Sequence, residues 1–586
     1  MIFRRDRGPV AGLLLGLAIL GGCGEQEPET SPVDTARAQL ARGDTLAAHV
    51  SLERALEQGF AREELAVLFG EAALIEGNLT AARKWLGPGK FSAGTSAIGF
   101  RLLGRLEMAE GNLPAAGTAF DRSYRLDPDS ADLWVDIGRL RYRGGEQVQA
   151  IKAAERALAL DPDNGEALQF RGQLARDAEG LGAGSALLEQ ALERQPDDIA
   201  LRVEYAATLA DVGRAKDALA VLRARGGRAA ATPRGLFVQA VIAARGQKFG
   251  LARDLFERSG SVRSEVPSTQ LLSAIIDLAD ENYASAALTL DRLHTRQPDN
   301  RRVRNLFAYA LSRSGGEREL VHRFAAAAAE KAGSAYLQLL VARAYESLGD
   351  RKRAAALIDM AALDETGLVV LPGRALQEVP GASTALGGAQ LRDYLRAEIA
   401  GGDIAAAVKR ARAFAQRFPG SGDAQSLLGD AEFAQGNKLA ARAAYERSAR
   451  VRRPWPLALR LASVQDDPAR ARRMLEEYVR NNPMNGEAAA VLADALAAQG
   501  EWGRAAQLLD HAMELGQART PWVLAARSIA ALNLEDRDGA LDFALDAHEL
   551  QPMNPLAISA LIGALPAGEE AAKSELEAKL QSLTTG

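Results

Sequence analysis

Prolines return along this chain every 34 residues, and no other feature narrows the fold as much. Pro128, Pro162 and Pro196 are spaced by 34, as are Pro233 and Pro267. The first three stand in closely similar contexts, Arg-Leu-Asp-Pro-Asp-Ser, Ala-Leu-Asp-Pro-Asp-Asn and Arg-Gln-Pro-Asp-Asp, and Pro298, Pro419, Pro483 and Pro552 repeat the theme. Self-similarity at this length marks a run of small units that stack on one another. It argues against the roughly four independent globular domains that 586 residues would otherwise suggest.

Counting places from Ala131, the unit has Trp134, Ile137 and Gly138 at places four, seven and eight, Ala150, Ala154 and Ala157 at twenty, twenty-four and twenty-seven, and Pro162 at thirty-two. The preceding unit has Phe100, Leu103, Gly104, Ala116, Phe120, Ser123 and Pro128 at those places. Large residues at four and seven, with small ones at eight and twenty, let two antiparallel helices approach closely. Gly111-Asn112, Gly349-Asp350 and Gly436-Asn437, near place fifteen, end the first helix, because glycine takes a left-handed cap at little cost. Proline near thirty-two lacks an amide donor and stops the second. No such hairpin buries its own apolar face, so each stacks on the next.

These residues resemble the tetratricopeptide repeat, whose signature is W-x2-L-G-x2-Y, then A-x3-F, then P. Its tyrosine place is poorly kept here, with Glu107 and Arg141, although Tyr345 fills it later. The resemblance implies an all-α, right-handed superhelical solenoid of about fifteen helix-turn-helix repeats. Carrying the register along places unit starts near 29, 62, 97, 131, 165, 199, 233, 267, 301, 335, 388, 422, 452, 486 and 521. The unit near 452 is shortened in its turn, Gln465 to Pro468, and the Gly182–Gly184 turn is a weak match. The expected organisation is a leader over 1–22, an acidic tether over 23–33, a first array over 34–364, an irregular connector over 365–388, a second array over 389–555, and capping helices over 556–586. The connector, with Leu368-Val369-Val370-Leu371, Pro372 and Pro380, reads as a long inter-repeat link, as a hinge, or as a segment that docks a partner by strand addition.

Composition agrees with helices packed through small residues: 47% of the chain is hydrophobic but only 5% aromatic. A formal net charge of −5 supplies no general attraction to nucleic acid. The single cysteine cannot form an internal disulfide, and its position gives it meaning. Met1 to Arg7 is a basic leader, Val10 to Leu20 is an unbroken apolar run of eleven residues, and Leu20-Gly21-Gly22-Cys23 follows before the chain turns acidic. The run has the length of a signal-peptide core and is short for a membrane span. Leu20-Gly21-Gly22-Cys23 resembles the lipobox of bacterial lipoproteins; the other reading is an ordinary secretory signal with Cys23 incidental. The lipobox resemblance implies cleavage before Cys23, lipidation of its thiol and amine, and membrane anchoring through more than one chain. With Gly24 and not Asp next, lipoprotein sorting implies the periplasmic face of a bacterial outer membrane. The mature chain would carry 68 basic and 75 acidic residues.

A search for chemistry finds no catalytic constellation, no metal site and no cofactor motif. His49, His294, His322, His511 and His548 belong to no metal-ligand pair and are expected on helix surfaces and turns. Gly87-Pro88-Gly89-Lys90 has no Ser or Thr after its lysine, so it reads as a loop. Asp127/Asp129 and Asp197/Asp198 lie beside turn prolines, where they accept local amides or cap the next helix.

What remains is surface. In the repeat family the first helix of each hairpin lines the concave face, at places two, five, nine and twelve to thirteen. Those places hold Arg101, Arg105, Arg139, Arg143 and Arg176, then Arg302, Arg313, Arg343, Arg392 and Arg396. From 422 onward they hold Asp423, Asp430, Glu487 and Asp494. The inferred groove is basic first and acidic later. Either Arg101, Arg105, Arg139, Arg143 and Arg176 form a cradle for an acidic segment or anionic polymer, or they are solvated arginines neutralised by neighbours at i,i+4.

The family resemblance implies protein binding without catalysis. Solenoid lipoproteins of this kind resemble components of exopolysaccharide-export, PEP-CTERM-type and pilus or secretin systems. A lipid-anchored periplasmic scaffold for protein partners of an envelope assembly or export machine is therefore expected. A glycan or peptidoglycan strand bound directly in the groove is the alternative. It would want exposed aromatic plates, yet Trp85, Trp134, Trp455 and Trp502 fall at core places or turns, and only Trp522 maps to the concave face. An attached enzyme domain would need a long stretch free of repeats, and none is left.

Overall fold

The computed structural model describes residues 31–261, 266–298, 300–329, 334–362, 371 and 388–584. Among them the chain is all α, with thirty-three α-helices and no strand. Fifteen hairpins run in sequence. From Ala131 to Ala335 every first helix opens on the residue that the 34-residue register specifies, and so do those at Arg62, Gly388, Gly422, Gly486 and Pro521. The shortened unit is a first helix of nine residues, Trp455–Ser463.

The turn chemistry explains this regularity. Place fifteen is left-handed in one hairpin after another. Glycine fills it at Gly111, Gly349 and Gly436 with φ of 83°, 85° and 83°, whereas Gln247, Glu281 and Glu535 adopt φ of 56°, 60° and 65°. The next residue then caps the second helix: the Ala440 amide donates to Asn437 Oδ1 at 3.3 Å, and the Arg353 amide to Asp350 Oδ1 at 3.1 Å. At the other end the residue two after the proline caps the next first helix. The Leu201 amide donates to Asp198 Oδ1 at 2.9 Å, and the Ala167 amide to Asn164 Oδ1 at 2.9 Å.

Place eight is where the helices of a hairpin touch. Side chains there are small and enclosed: Ala206, Ala240, Ala274, Ala308, Ala342 and Ala493 are all fully buried. At Gly104 an added Cβ would run into the Phe120 ring, and at Gly429 into the Tyr445 ring. Bulk at place twenty-four is thus accommodated by its absence at place eight. The resulting core is a chain of clusters, each spanning adjacent hairpins, such as Ala274, Leu290, Phe307, Phe324 and Leu337.

Residues up to Pro128 form one compact unit and those from Asp129 form a second. The described part of the first has three hairpins, beginning at Pro32, Arg62 and Ser96. The second carries twelve, followed by the helices Pro555–Ala564 and Glu570–Thr584, the latter burying none of its residues.

Two expectations are corrected and a third, the large residue at place four, is qualified. The tether does not extend to residue 33. Ser31 caps a helix beginning at Pro32, and Val33 is buried in it, because proline at the first turn of a helix gives up only an unsatisfied donor. Gly182 and Gly184 do not form a turn. The reversal is made by Gly180 at φ 111°, and both glycines lie inside the helix Leu181–Arg194. Place four is not uniformly a large apolar residue. Arg202 and Gln338 occupy it, and each donates to backbone carbonyls around the neighbouring second helices: Arg202 to Val221 and Pro196, Gln338 to Ala328. The leader, Cys23 and nearly all of the 365–388 connector lie outside the described residues. No described helix is long and apolar enough to cross a membrane.

Candidate functional site

First helices of successive hairpins touch one another, as Ala131–Arg143 does Gly165–Ala178 and Arg301–Arg313 does Ala335–Ser347, whereas among the described residues the second helices of successive hairpins make no comparable contact. The first helices therefore crowd together on the inner side of the stack and the second helices spread apart. The inner face is the surface on which the sequence-derived arginines lie.

Four of them, Arg139, Arg176, Arg392 and Arg396, pair with carboxylates. In the second unit Arg139 donates to Glu166 Oε2 at 2.6 Å, and its guanidinium is 3.5 Å from Asp136, which is wholly buried. Arg176 donates to Glu204 Oε1 at 2.8 Å, and Arg234, from the following hairpin, binds the other oxygen of Glu204. Burial pushes the Glu204 carboxyl up, but Arg234 and Arg176 together outweigh it and hold it below the ordinary glutamate range. The partners are in the adjacent hairpin, roughly one repeat away, and not at i,i+4: successive first helices stand side by side, so their facing side chains meet before those along one helix do. Arg143 is exposed on the same helix as Arg139. In the first unit Arg101 and Arg105 are half-buried on the helix Ser96–Ala109. Nearby on that helix, Glu107 and Glu110 bind Arg83 of the preceding hairpin.

The division into basic and acidic stretches gives way further along. Arg396, Asp430 and Arg460 form one ladder: Arg396 donates to Asp430 Oδ2 at 3.3 Å, and the Arg460 guanidinium lies 3.2 Å from Oδ1. Tyr445 donates its hydroxyl to Asp430 Oδ1 at 2.9 Å. Burial first, then the Asp430 charge, pushes the Tyr445 phenol far above its usual value. Arg392 pairs with Asp393, and Arg313 lies 5.3 Å over the Tyr283 ring. Asp494 has its carboxyl raised by burial.

Glu204, Arg234, Arg460 and Tyr445 are the residues that reading for a groove missed. A signal existed: Arg396, Asp430 and Arg460 all fall at place nine of consecutive units. All five tryptophans pack against core clusters. Trp85 stacks on Phe69 at 4.1 Å with Arg62 over its ring, Trp134 and Trp455 belong to hairpin cores, and Trp502 and Trp522 pack against the core that contains Trp455. Trp522 is therefore no free plate. His294 sits between Phe307 and Phe324, not on the surface. Asp198 caps a helix as expected, whereas Asp129 and Asp197 accept from Arg156 and Arg225 of the following hairpin. Among the described residues no group of three or more His, Cys, Asp or Glu side chains is placed to hold a metal ion.

The family model of the tetratricopeptide repeat matches residues 101–165, 395–456 and 457–518. Among solved structures, the chain is similar to the APC/C hetero-tetramer Cut9–Hcn1, at 13% identity over 88% of this chain and 99% of that one, with a TM-score of 0.30. It is also similar to TTC0263, a thermophilic repeat protein of Thermus thermophilus, at 25% identity over 30% and 97%, TM-score 0.26. A third is the human IFIT1 dimer with PPP-AAAA, at 17% identity over 68% and 93%, TM-score 0.34. No curated protein matches the chain. Tetratricopeptide repeats are thus matched over three stretches of an all-α array of helical hairpins.

Proposed function

We propose that this chain is a lipid-anchored periplasmic scaffold at the bacterial outer membrane, holding protein partners of an envelope assembly or export machine of the exopolysaccharide or secretion type. The observation that carries the scaffold reading is the run of seven consecutive hairpins from Ala131 to Ala362, followed by five more from Gly388, that make up the second unit. An array of that length suits an extended protein surface and gives a small substrate no enclosed centre. The anchor rests on the basic leader, the eleven-residue apolar run and Leu20-Gly21-Gly22-Cys23. Arg101, Arg105, Arg139, Arg143 and Arg176 are the first-helix arginines proposed to meet a partner, Arg139 and Arg176 by exchanging Glu166 and Glu204 for its carboxylates.

The test is crosslinking and affinity capture from native membranes, comparing wild type with Cys23→Ala. Wild type should fractionate with the outer membrane and retain a porin, polymerase or secretin, and the variant should be released and lose it. Equal fractionation of both would remove the anchor. Capture of no protein by either would remove the envelope scaffold. Charge reversal of Arg101, Arg105 and Arg143 should weaken the captured complexes, and unchanged capture would remove those arginines from the interface.

A further inference from the structure

The second unit touches itself across a long stretch of sequence. Seven hairpins separate the one that begins at Ala131 from the one that begins at Gly422, and there the edges of the array meet. The Val148 amide donates to the Gly420 carbonyl at 3.3 Å, and the Gly422 amide donates to Gln147 Oε1 at 3.1 Å in a buried bond. One hairpin further on, the Arg453 amide donates to the Asp177 carbonyl at 2.8 Å, and its guanidinium reaches the Glu179 carbonyl at 3.5 Å and Glu477 at 2.8 Å. A cation and a donor are thus set against the C-terminal end of the helix Gly165–Ala178, where unpaired carbonyls gather.

Glycines mark the same line. An added Cβ at Gly182 would stand 2.9 Å from Asn481 Oδ1, one at Gly213 would stand 2.8 Å from Met484 Sδ, and one at Gly420 would meet Gln149. Gly213 needs its left-handed backbone for the turn, so its absence of a side chain has two explanations. Gly182 and Gly420 have no such backbone. Gly182 even lies inside a helix, where glycine costs stability relative to alanine. Close approach of the distant edge accounts for both.

The forces at this seam differ from those within the stack. Consecutive hairpins bury whole apolar clusters between them. The seam is made of a few hydrogen bonds around small residues, and each such bond adds little net stability because water can replace it. It should open well before any hairpin unfolds. We propose that the seam is a releasable clasp. The edge formed by the turns at 147–148, 177–182 and 213 is a docking surface, its occupant is the edge at 420–422, 453 and 481–484 of the same chain, and the two part and rejoin while the hairpins stay folded. Closed, the clasp completes a turn of the coil; open, it leaves backbone donors and carbonyls of both edges free and admits a partner to the inner face from the side.

The test uses the full chain with Cys23→Ala, which removes its single native thiol, and adds Val148→Cys with Ser421→Cys. Mild oxidation should give a disulfide within one chain, in a yield independent of protein concentration. Crosslinks only between chains would assign the edge to a second copy, and no crosslink would deny the contact; either overturns the proposal. Hydrogen exchange on the wild type should show the amides of Val148, Gly422 and Arg453 opening at least tenfold faster than the interior of the helix Gln147–Leu160. Equal rates would mean a fused edge and no clasp. Arg453→Ala combined with Gly182→Leu should raise the radius of gyration by X-ray scattering while circular dichroism keeps its helix signal. An unchanged radius with intact helices would also count against it.

Discussion

Two charged triads hold the second unit's hairpins side by side, and they differ in how far water reaches them. In the earlier one Glu204, buried, is clamped by Arg176 from the hairpin before and Arg234 from the hairpin after, but Arg234 is 56% exposed. In the later one Asp430 is clamped by Arg396 and Arg460 in the same before-and-after manner, and Arg460 is only 6% exposed. The later triad also recruits the Tyr445 hydroxyl and, through Arg460, Ser426. Each is one carboxylate between two guanidiniums, so each fixes three successive hairpins at once. The difference lies in what happens when the carboxylate is lost. Water can take over around Arg234; it cannot easily do so around Arg460.

Asp430→Asn should therefore be the most damaging of the single changes considered. It leaves two enclosed guanidiniums without an anion, at a cost of about 3–5 kcal/mol. Hydrogen exchange over the helices Gly388–Ala400, Gly422–Ala434 and Trp455–Ser463 reads this locally, which suits an array whose repeats need not unfold as one. A loss no greater than that of Glu204→Gln would break the comparison. Gly429→Ala sharpens it from the packing side, because the added Cβ drives into the Tyr445 ring and shifts the hydroxyl away from Asp430. Overpacking of about 2–3 kcal/mol should outweigh the roughly 1 kcal/mol that alanine gains over glycine in a helix. A more stable Gly429→Ala variant would show that the ring is free to move.

Glu204→Gln should cost less, about 1–2 kcal/mol, as one charge-assisted bond becomes an ordinary one and the exposed Arg234, facing an NH2 that cannot accept, turns to water. Its pH dependence has a definite sign. A folded carboxyl held below its unfolded value stabilises fully above that value, about 4.5, and the benefit disappears as pH falls through the lowered folded value. The stability difference between wild type and Glu204→Gln should thus be flat from neutral pH down to about 4.5 and shrink on further acidification. A difference that grows in acid would mean that the carboxyl is not held down by its arginines.

Much of this architecture was legible because each local rule points the same way. Glycine at place fifteen, an Asn or Asp cap after it, a small residue at place eight and a proline near thirty-two each act within one hairpin, and together they locate the helices to the residue. The triads were not read because they act between hairpins. Glu204 and Arg234 sit at different places of their units, so no periodicity joins them, and the facing of first helices is known only once the hairpins are stacked. The same applies to Arg139 and Arg176, whose carboxylates, Glu166 and Glu204, lie a repeat away. The polar residues at place four, Arg202 and Gln338, broke the expected pattern because a backbone carbonyl end needed a donor there more than the core needed bulk.

The smallest expected effect concerns the turns beside the triads. The later triad's hairpins turn through Gly402 and Gly436, with φ of 88° and 83°, and the earlier one's through Gly213 at 92° but also through Gln247 at 56°. Gln247 keeps the bonds of the turn, since its amide donates to Ala244 at 3.0 Å and the Lys248 amide donates to Ala243 at 2.9 Å. Only the backbone conformation is expensive, at about 1–2 kcal/mol for a residue with a Cβ. Glycine would remove that strain and give back about 0.5–1 kcal/mol through the freer unfolded chain. Gln247→Gly should therefore stabilise the hairpin that carries Arg234 by several tenths of a kcal/mol to about 1. Slower exchange in the helix Pro233–Arg245 is the expected sign, with Gln247→Ala as the control that should bring no gain. If glycine loosens this hairpin instead, the Gln247 side chain makes a contribution that outweighs its strained backbone. The earlier triad's greater openness would then owe nothing to its turn and would rest on the exposure of Arg234 alone.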